Sequence, residues 1–300
     1  CYGFSDRAGD RSRGELGIAF AAQATHNHAV LDRGGRVLDR SVLVITLPEG
    51  ADELEHLGLC AVLNSSTACF WLKRTCRAVG PPGHQSADGD EAAQVEPWER
   101  PFRFTASALR GLPVPVTVPA ELGQTLDSLA RRMATQEPAA VCARGVPTRE
   151  VLDGARYGQE LLLHRMVALQ EELDWQLYAR YGLLTEAEAA ATTVPASGTV
   201  PPVAPGERAF EIALAGAGDR RGQDGRWFVR NRITPVTEVP DHWPTAYRRI
   251  VQARLDLLAR RRDLDLLENP ECKRGWERTP WPERERRALR QIRKSATHAR

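Results

Sequence analysis

The sequence predicts an α+β protein in which a β-rich module with helices is followed by long amphipathic helices and a basic helical tail. Three observations carry this prediction. β-Branched runs are concentrated near the start, apolar residues then recur at helical spacing, and arginines crowd the C-terminal part. With 300 residues, 42% of them apolar, the chain is long enough to bury a core and to form more than one domain.

Residues 1–120 form the predicted β-rich module. The run 32–36, Asp-Arg-Gly-Gly-Arg, indicates a turn between short strands at 30–31 and 37–38, and the run 41–47 predicts a β-branched strand. Apolar spacing over residues 51–77 predicts two helices, and Ser65 lies in a polar run that would cap the second one. Residues 78–97 are rich in glycine, proline and acidic residues and predict a mobile loop.

The sequence from residue 121 onwards predicts three further regions. Residues 121–191 form a helical spacer or clamp, with a long helix over 156–181 that Gly182 ends and a capping box that begins at Thr185. Residues 192–206 predict a linker rich in proline, threonine and serine. Residues 207–300 predict short strands, such as Trp227-Phe228-Val229, and a basic helical region with an amphipathic helix over 244–267.

The charge is distributed unevenly along the chain. Residues 1–219 hold 20 basic and 28 acidic residues, whereas residues 220–300 hold 21 basic and 11 acidic residues, a net −8 against a net +10. A block of arginines favours a partner that carries phosphates, because guanidinium groups match phosphate oxygens. A solvated helix face balanced by an acidic neighbour explains the same charges.

Several classes of protein are disfavoured. No apolar run is long enough for a transmembrane helix, and no signal peptide is visible, so we expect a cytoplasmic protein with no membrane partner. The chain begins with Cys1 instead of methionine, which suggests a fragment or a processed product. The six cysteines form no CxxC pair and no zinc-ligand spacing, which predicts reduced thiols and no metal site.

Two nuclease-like patterns carry little weight. His26-Asn27-His28 spells a nuclease motif, but three adjacent residues cannot spread over the hairpin and helix that such a site needs. Asp241, Glu271 and Lys273 imitate a metal-dependent nuclease site, which requires its acidic residues on adjacent strands. The segment between Asp241 and Glu271 predicts a helix.

The order of several motifs resembles one family of enzymes. Residues 57–72 and 98–115 resemble target-recognition domains of DNA methyltransferases and of type I specificity subunits. Residues 171–184 resemble the helix that follows this domain in Eco57I/TaqI-like enzymes. Residues 247–276 resemble the C-terminal part of PglX-type adenine-specific DNA methyltransferases of the phage growth limitation (BREX type 2) defence systems.

The resemblance implies a target-recognition part of such an enzyme, with double-stranded DNA as partner. The sequence lacks a glycine-rich loop after a strand and an Asn/Asp-Pro-Pro-aromatic motif, so we expect no catalytic residue and no cofactor in this chain. S-adenosylmethionine and an N-terminal methyltransferase domain would belong to the implied parent, and other phage-defence proteins are further expected partners. The candidate DNA-binding residues are Asn27, His28, Arg33, Arg36, Asn64, Lys73, Arg248, Arg249, Lys273 and Arg274.

Two other functions remain open at this point. The helices over 121–190 and 244–267 could form a scaffold that binds other defence proteins and holds DNA only nonspecifically. A nuclease that uses Asp241, Glu271 and Lys273 is the third hypothesis.

Overall fold

The computed structural model is α+β, as predicted, and its helices outweigh two small antiparallel sheets. A run of helices follows the sheets along the chain. The structure describes residues 3–5, 15–34, 41–80, 96–195, 197–217, 224–276 and 279–298.

The first sheet has four strands in the order β1-β5-β2-β4, and every neighbouring pair is antiparallel. Its strands are β1 (Gly3–Ser5), β2 (Gly17–Ala21), β4 (Ala29–Asp32) and β5 (Val42–Thr46). Ile18, Phe20 and Ile45 are buried in the main core. The strand predicted over 41–47 is confirmed as β5, whereas the strand predicted at 37–38 and the end of its turn lie outside the described residues.

The second sheet has three strands of two residues each, in the order β3-β7-β6. They are β3 (Gln23–Ala24), β6 (Arg77–Ala78) and β7 (Phe102–Arg103). Phe104, just after β7, packs edge-on against Phe20 with ring centroids 5.6 Å apart, which ties this sheet to the first one. Most of the predicted loop over 78–97 lies outside the described residues.

The helices of the first part are short and capped. They are α1 (Glu53–Leu63), α2 (Ser66–Thr75) and α3 (Ala106–Gly111), with a 3₁₀ turn over Pro97–Glu99. The predicted cap of the second helix is confirmed, because Ser65 accepts a hydrogen bond from the backbone N–H of Ala68 at 3.1 Å.

The middle of the chain is helical, as predicted. It contains α4 (Ala120–Thr135), α5 (Pro138–Cys142), α6 (Arg149–Arg180) and α7 (Glu186–Thr192). The long helix α6 begins earlier than predicted, because the side chain of Thr148 caps its first turn. Gly182, at φ 70°, ends it as predicted, and the capping box at Thr185 opens α7.

The last part contains α8 (Ala209–Gly216), α9 (Asp224–Asn231), α10 (Thr245–Arg260), α11 (Arg262–Asp265) and α12 (Trp281–His298). The strand predicted at Trp227-Phe228-Val229 is wrong, since these residues lie in α9. The helix predicted over 244–267 is divided at Arg261, whose backbone is extended. None of the helices in the described ranges has the length and apolarity needed to cross a membrane.

The segment predicted as a linker, 192–206, packs along α6. Val194, Val200 and Val203 are buried in the main core, and the backbone N–H of Val203 donates to the carbonyl of His164 at 3.1 Å. The predicted domain boundaries stay a prediction.

The crossing of α1 and α4 depends on small residues. A Cβ atom at Gly123 would lie 2.3 Å from the carbonyl oxygen of Leu57, and one at Gly58 would lie 2.6 Å from the side chain of Val118. We expect Gly123→Ala to lower the free energy of unfolding by about 1–3 kcal/mol, because the added methyl must push the helices apart. Urea denaturation measures this loss.

Gly154→Ala is the matched control, because a Cβ atom there would meet nothing within 4 Å. This helix-interior change should raise the free energy of unfolding by roughly 0.5–1 kcal/mol. Equal effects of the two substitutions would contradict the close approach of α4 to α1.

Candidate nucleic-acid interface

Residues 270–276, which we call the anchor segment, connect the C-terminal part of the chain to the β-rich module. The ring of His26 donates from Nε2 to the carbonyl of Pro270 at 3.1 Å, and Lys73 Nζ donates to the carbonyl of Glu271 at 2.5 Å. Arg274 donates to the carbonyl of Asn27 at 2.9 Å. Half of the ten predicted DNA-binding residues therefore meet here: Asn27, Asn64, Lys73, Lys273 and Arg274.

The two asparagines of this group hold the module together. Asn27 is only 3% exposed, and its amide donates to the carbonyls of Leu63 and Ser65 at 2.6 and 2.9 Å. Asn64 exchanges two hydrogen bonds with the backbone of Ala29 and accepts a third from Arg274. With these partners, the amide of Asn27 is committed to the fold and does not fit a contact with a base edge.

Lys273 is buried at 1% exposure among three carboxylates. Its Nζ lies 2.9 Å from Glu171, 2.9 Å from Asp174 and 2.7 Å from Glu268. Burial disfavours the ammonium, but Asp174, Glu171 and Glu268 raise the pKa of Lys273 above its ordinary value, so it stays charged. An ammonium enclosed in this way cannot reach a phosphate.

One of the three carboxylates is not fully compensated. Asp174 accepts hydrogen bonds from the backbone and hydroxyl of Ser66 at 2.9 and 2.6 Å, and Glu268 accepts one from the hydroxyl of Tyr178 at 2.7 Å. Burial raises the pKa of Glu171 to about 7, although Lys273 acts to lower it. The cluster therefore holds a proton until the pH approaches neutrality.

The remaining predicted residues lie at separate places. Arg33 is bound 2.7 Å from both Glu53 and Asp127, and Arg248 lies 2.6 Å from Asp241. His28 and Arg249 are exposed. Arg36 lies outside the described residues. Of the nine predicted residues that the structure describes, His28 and Arg249 are the two with exposed side chains.

The nuclease-like patterns do not assemble. The side chain of Asp241 is 91% exposed, whereas Lys273 is buried, and the helix α10 separates them in the sequence. His26 is buried, and burial is the main cause that lowers its pKa to about 3. In the described ranges no three His, Cys, Asp or Glu side chains form a group that could hold a metal ion.

A row of polar side chains that the sequence analysis missed crosses the second sheet. Gln23 and Arg77 are each the antiparallel partner of Arg103, so the three side chains lie on one face of the sheet, and all three are exposed. The opposite face carries Ala24 and Phe102, which pack on the core. We call Gln23, Arg103 and Arg77 the sheet row.

The sheet row places two like charges directly opposite each other. Such a cross-strand pair is unfavourable by itself. Within the described residues neither Arg77 nor Arg103 forms an ion pair or a side-chain hydrogen bond. An anionic partner from outside the described fold would relieve this repulsion.

Helix α12 presents a second cationic face. Arg286 and Arg290 are exposed and are separated by one helical turn, and Arg287, also exposed, lies 3.6 Å from Glu283. Trp281 and Ala288 are buried on the opposite side. Like charges at this spacing repel each other along a helix, so this face also favours an anion.

Comparisons with known proteins find one family of unknown function and one similar methyltransferase. Residues 166–295 match the family described as Domain of unknown function (DUF7008). Over 275 residues, 91% of this chain, the sequence is 44% identical to the adenine-specific methyltransferase PglX of Streptomyces coelicolor. The chain is therefore similar to one segment of PglX. It spans 22% of the length of PglX, and no solved structure matches it. The resemblance to PglX predicted from the sequence is confirmed.

Removal of the buried charge of Lys273 should destabilise the fold. Lys273→Met leaves three buried carboxylates without their cation, so we expect the free energy of unfolding to fall by about 3–5 kcal/mol. Arg249→Met removes the same charge from an exposed position and should change it by less than about 0.5 kcal/mol. Urea denaturation measures both, and equal losses would contradict the role assigned to Lys273.

The raised pKa of Glu171 predicts a pH dependence. Folding raises this pKa from 4.5 to about 7, so the folded chain binds an extra proton between these values. The contribution of Glu171 to stability is therefore greatest below this window and is lost as the pH rises through it. The difference in unfolding free energy between the wild type and Glu171→Gln should fall across the window and then level off. A constant difference in urea titrations would exclude a buried, protonated Glu171.

Proposed function

We propose that this chain is the DNA-sequence-recognition portion of a site-specific adenine-N6 DNA methyltransferase of the PglX type, which acts in phage defence. The sheet row is the observation that carries this proposal. The similarity to PglX makes DNA the substrate to consider, and the row supplies side chains of the kinds that read it.

The chemistry of the sheet row matches base recognition. Arginine donates two hydrogen bonds to guanine, and glutamine forms two with adenine, in the major groove. Neighbouring strands lie about 4.8 Å apart, so three side chains across three strands span about 10 Å. That distance corresponds to roughly three stacked base pairs at about 3.4 Å each.

Four further exposed arginines would contact the phosphate backbone of DNA. They are Arg286, Arg287 and Arg290 on α12 and Arg249 on α10. Contacts with phosphates fix the position of a protein on DNA without reading its sequence. His28 is a further candidate for DNA contact. Asn27 and Lys273 are not part of this proposal, because their side chains are buried in internal contacts.

Methyl transfer would be performed outside this chain. Both described sheets are antiparallel, and cofactor sites of nucleotide-binding folds lie at the carboxyl ends of parallel strands. The residues that the structure describes therefore provide no cofactor site of this kind for S-adenosylmethionine. The methyltransferase domain of the parent enzyme would supply the cofactor site and the groups that hold the flipped adenine.

A scaffold is the second candidate function, and one observation favours it. Val151, Tyr157 and Leu161 are exposed apolar side chains in the first half of α6. Such side chains suit a protein partner more than DNA. Nonspecific DNA binding that does not depend on the sheet row would favour this function.

Substitutions in the sheet row test the recognition proposal. Arg103→Gln removes the like-charge pair without removing a buried contact, so the fold should be preserved. The affinity for a preferred duplex should fall by about 1–3 kcal/mol, with weaker discrimination between sequences. Binding titrations of genomic and random duplexes at two salt concentrations measure these changes.

Arg132→Gln is the control, because Arg132 is exposed on α4 and lies outside both cationic surfaces. It should keep the affinity and the sequence preference of the wild type. If the wild type binds no duplex at low salt, or if Arg103→Gln binds as the control does, the sheet row is not a DNA-reading surface.

A further inference from the structure

A groove of about 610 Å³ lies between the first half of α6, residues 204–205, the turn after α9 and the start of α12. Its volume falls in the range of small-molecule sites, which is about 300–1,000 Å³. Three arginines reach it from three distant parts of the chain: Arg156 from α6, Arg232 from the end of α9 and Arg284 from α12. Among the described residues that line it, Glu160 is the one acidic residue, and Glu137 pairs with Arg284 from outside the lining. The three arginines still outnumber these two carboxylates, so the groove favours an anion.

The backbone conformation of Arg232 indicates a functional role for its side chain. Arg232 has φ 54°, the left-handed region that glycine tolerates best. It occupies the position after α9 at which the backbone N–H of Ile233 reaches back to the carbonyl of Phe228 at 2.9 Å. At the end of α6, glycine fills the equivalent position as Gly182. The chain thus accepts an unfavourable conformation at Arg232 and keeps an arginine in the groove.

An aromatic ring lies beside these cations. Trp276 is half-buried and lines the groove, and its indole N–H is buried without a hydrogen-bond partner among the described residues. Arg284 is held in place by Glu137 at 2.7 Å and Gln159 at 2.8 Å. A fixed cation, two further arginines and a tryptophan form the combination that binds phosphate and stacks on a base.

We propose that this groove binds one nucleotide unit, with its phosphate on Arg156 and Arg232 and its base against Trp276. The unit could be a free nucleotide or part of a DNA strand, since both present the same phosphate and base. The groove shares no residue with the sheet row, so this site stands independently of the proposed recognition of duplex DNA.

The test uses the 300-residue chain and three probes: inorganic phosphate, adenosine monophosphate and a short single-stranded oligothymidine. Arg232→Gly should weaken nucleotide binding by at least about tenfold, the scale of one lost charged hydrogen bond. The thermal midpoint of the same variant separates two roles, because a purely structural role of Arg232 would lower the midpoint and leave nucleotide binding unchanged.

Two further variants serve as a control and as a test of the contact between the base and Trp276. Arg132→Gln should bind each probe as the wild type does, and Trp276→Leu should weaken adenosine monophosphate more than phosphate. Binding of the mononucleotide alone identifies a free nucleotide, and binding of the oligonucleotide in competition with it identifies a strand. Phosphate binding as tight as nucleotide binding, retained binding in Arg232→Gly, or no binding of any probe would each overturn the proposal.

Discussion

The buried ammonium of Lys273 fixes how the C-terminal part of the chain meets the long helix α6. Two of its carboxylate neighbours, Glu171 and Asp174, belong to α6, and the third, Glu268, precedes the anchor segment. A charge in the interior requires partners around it, so this contact favours the alignment in which all three carboxylates reach Lys273.

Two further buried ion pairs involve arginines. Arg254 of α10 is buried against Glu172 of α6 at 2.5 Å, and Arg208 is buried against Glu211 of α8 at 2.6 Å. Arg254 and Lys273 lie within residues 220–300, so buried cations account for part of the basic C-terminal block, whereas Arg208 precedes it. The interpretation of that block as internally balanced charge holds for Arg254 and Lys273, and the interpretation as a phosphate-binding surface stays a prediction.

Local signals explain which elements the sequence predicts well. The starts of α2 and α7 follow from Ser65 and Thr185, whose caps need only residues a few positions away. The helix α9 could not be predicted in this way. Trp227 and Phe228 suggest a strand, and the helix is instead stabilised by packing of Trp227 against Phe210 and Trp98, which lie far away in the sequence.

The candidate site was less predictable than the fold. Residue type marks Asn27 and Lys273 as able to bind DNA, but their internal partners are distant in the sequence and leave no local pattern. The sheet row, in contrast, was missed because its strands are too short to be predicted. Strands of two residues, such as β6 and β7, have no periodicity, so the alignment of Arg77 with Arg103 becomes visible only in three dimensions.

The anchor segment also has a consequence for the order of folding during synthesis. His26 and Pro270 are 244 positions apart, and Asn27 and Arg274 are 247 positions apart. A ribosome must therefore release residues up to Arg274 before the β-rich module can receive these contacts. Until then, Glu171 and Asp174 of α6 lack the cation that compensates them, and contacts between residues so distant in sequence form slowly.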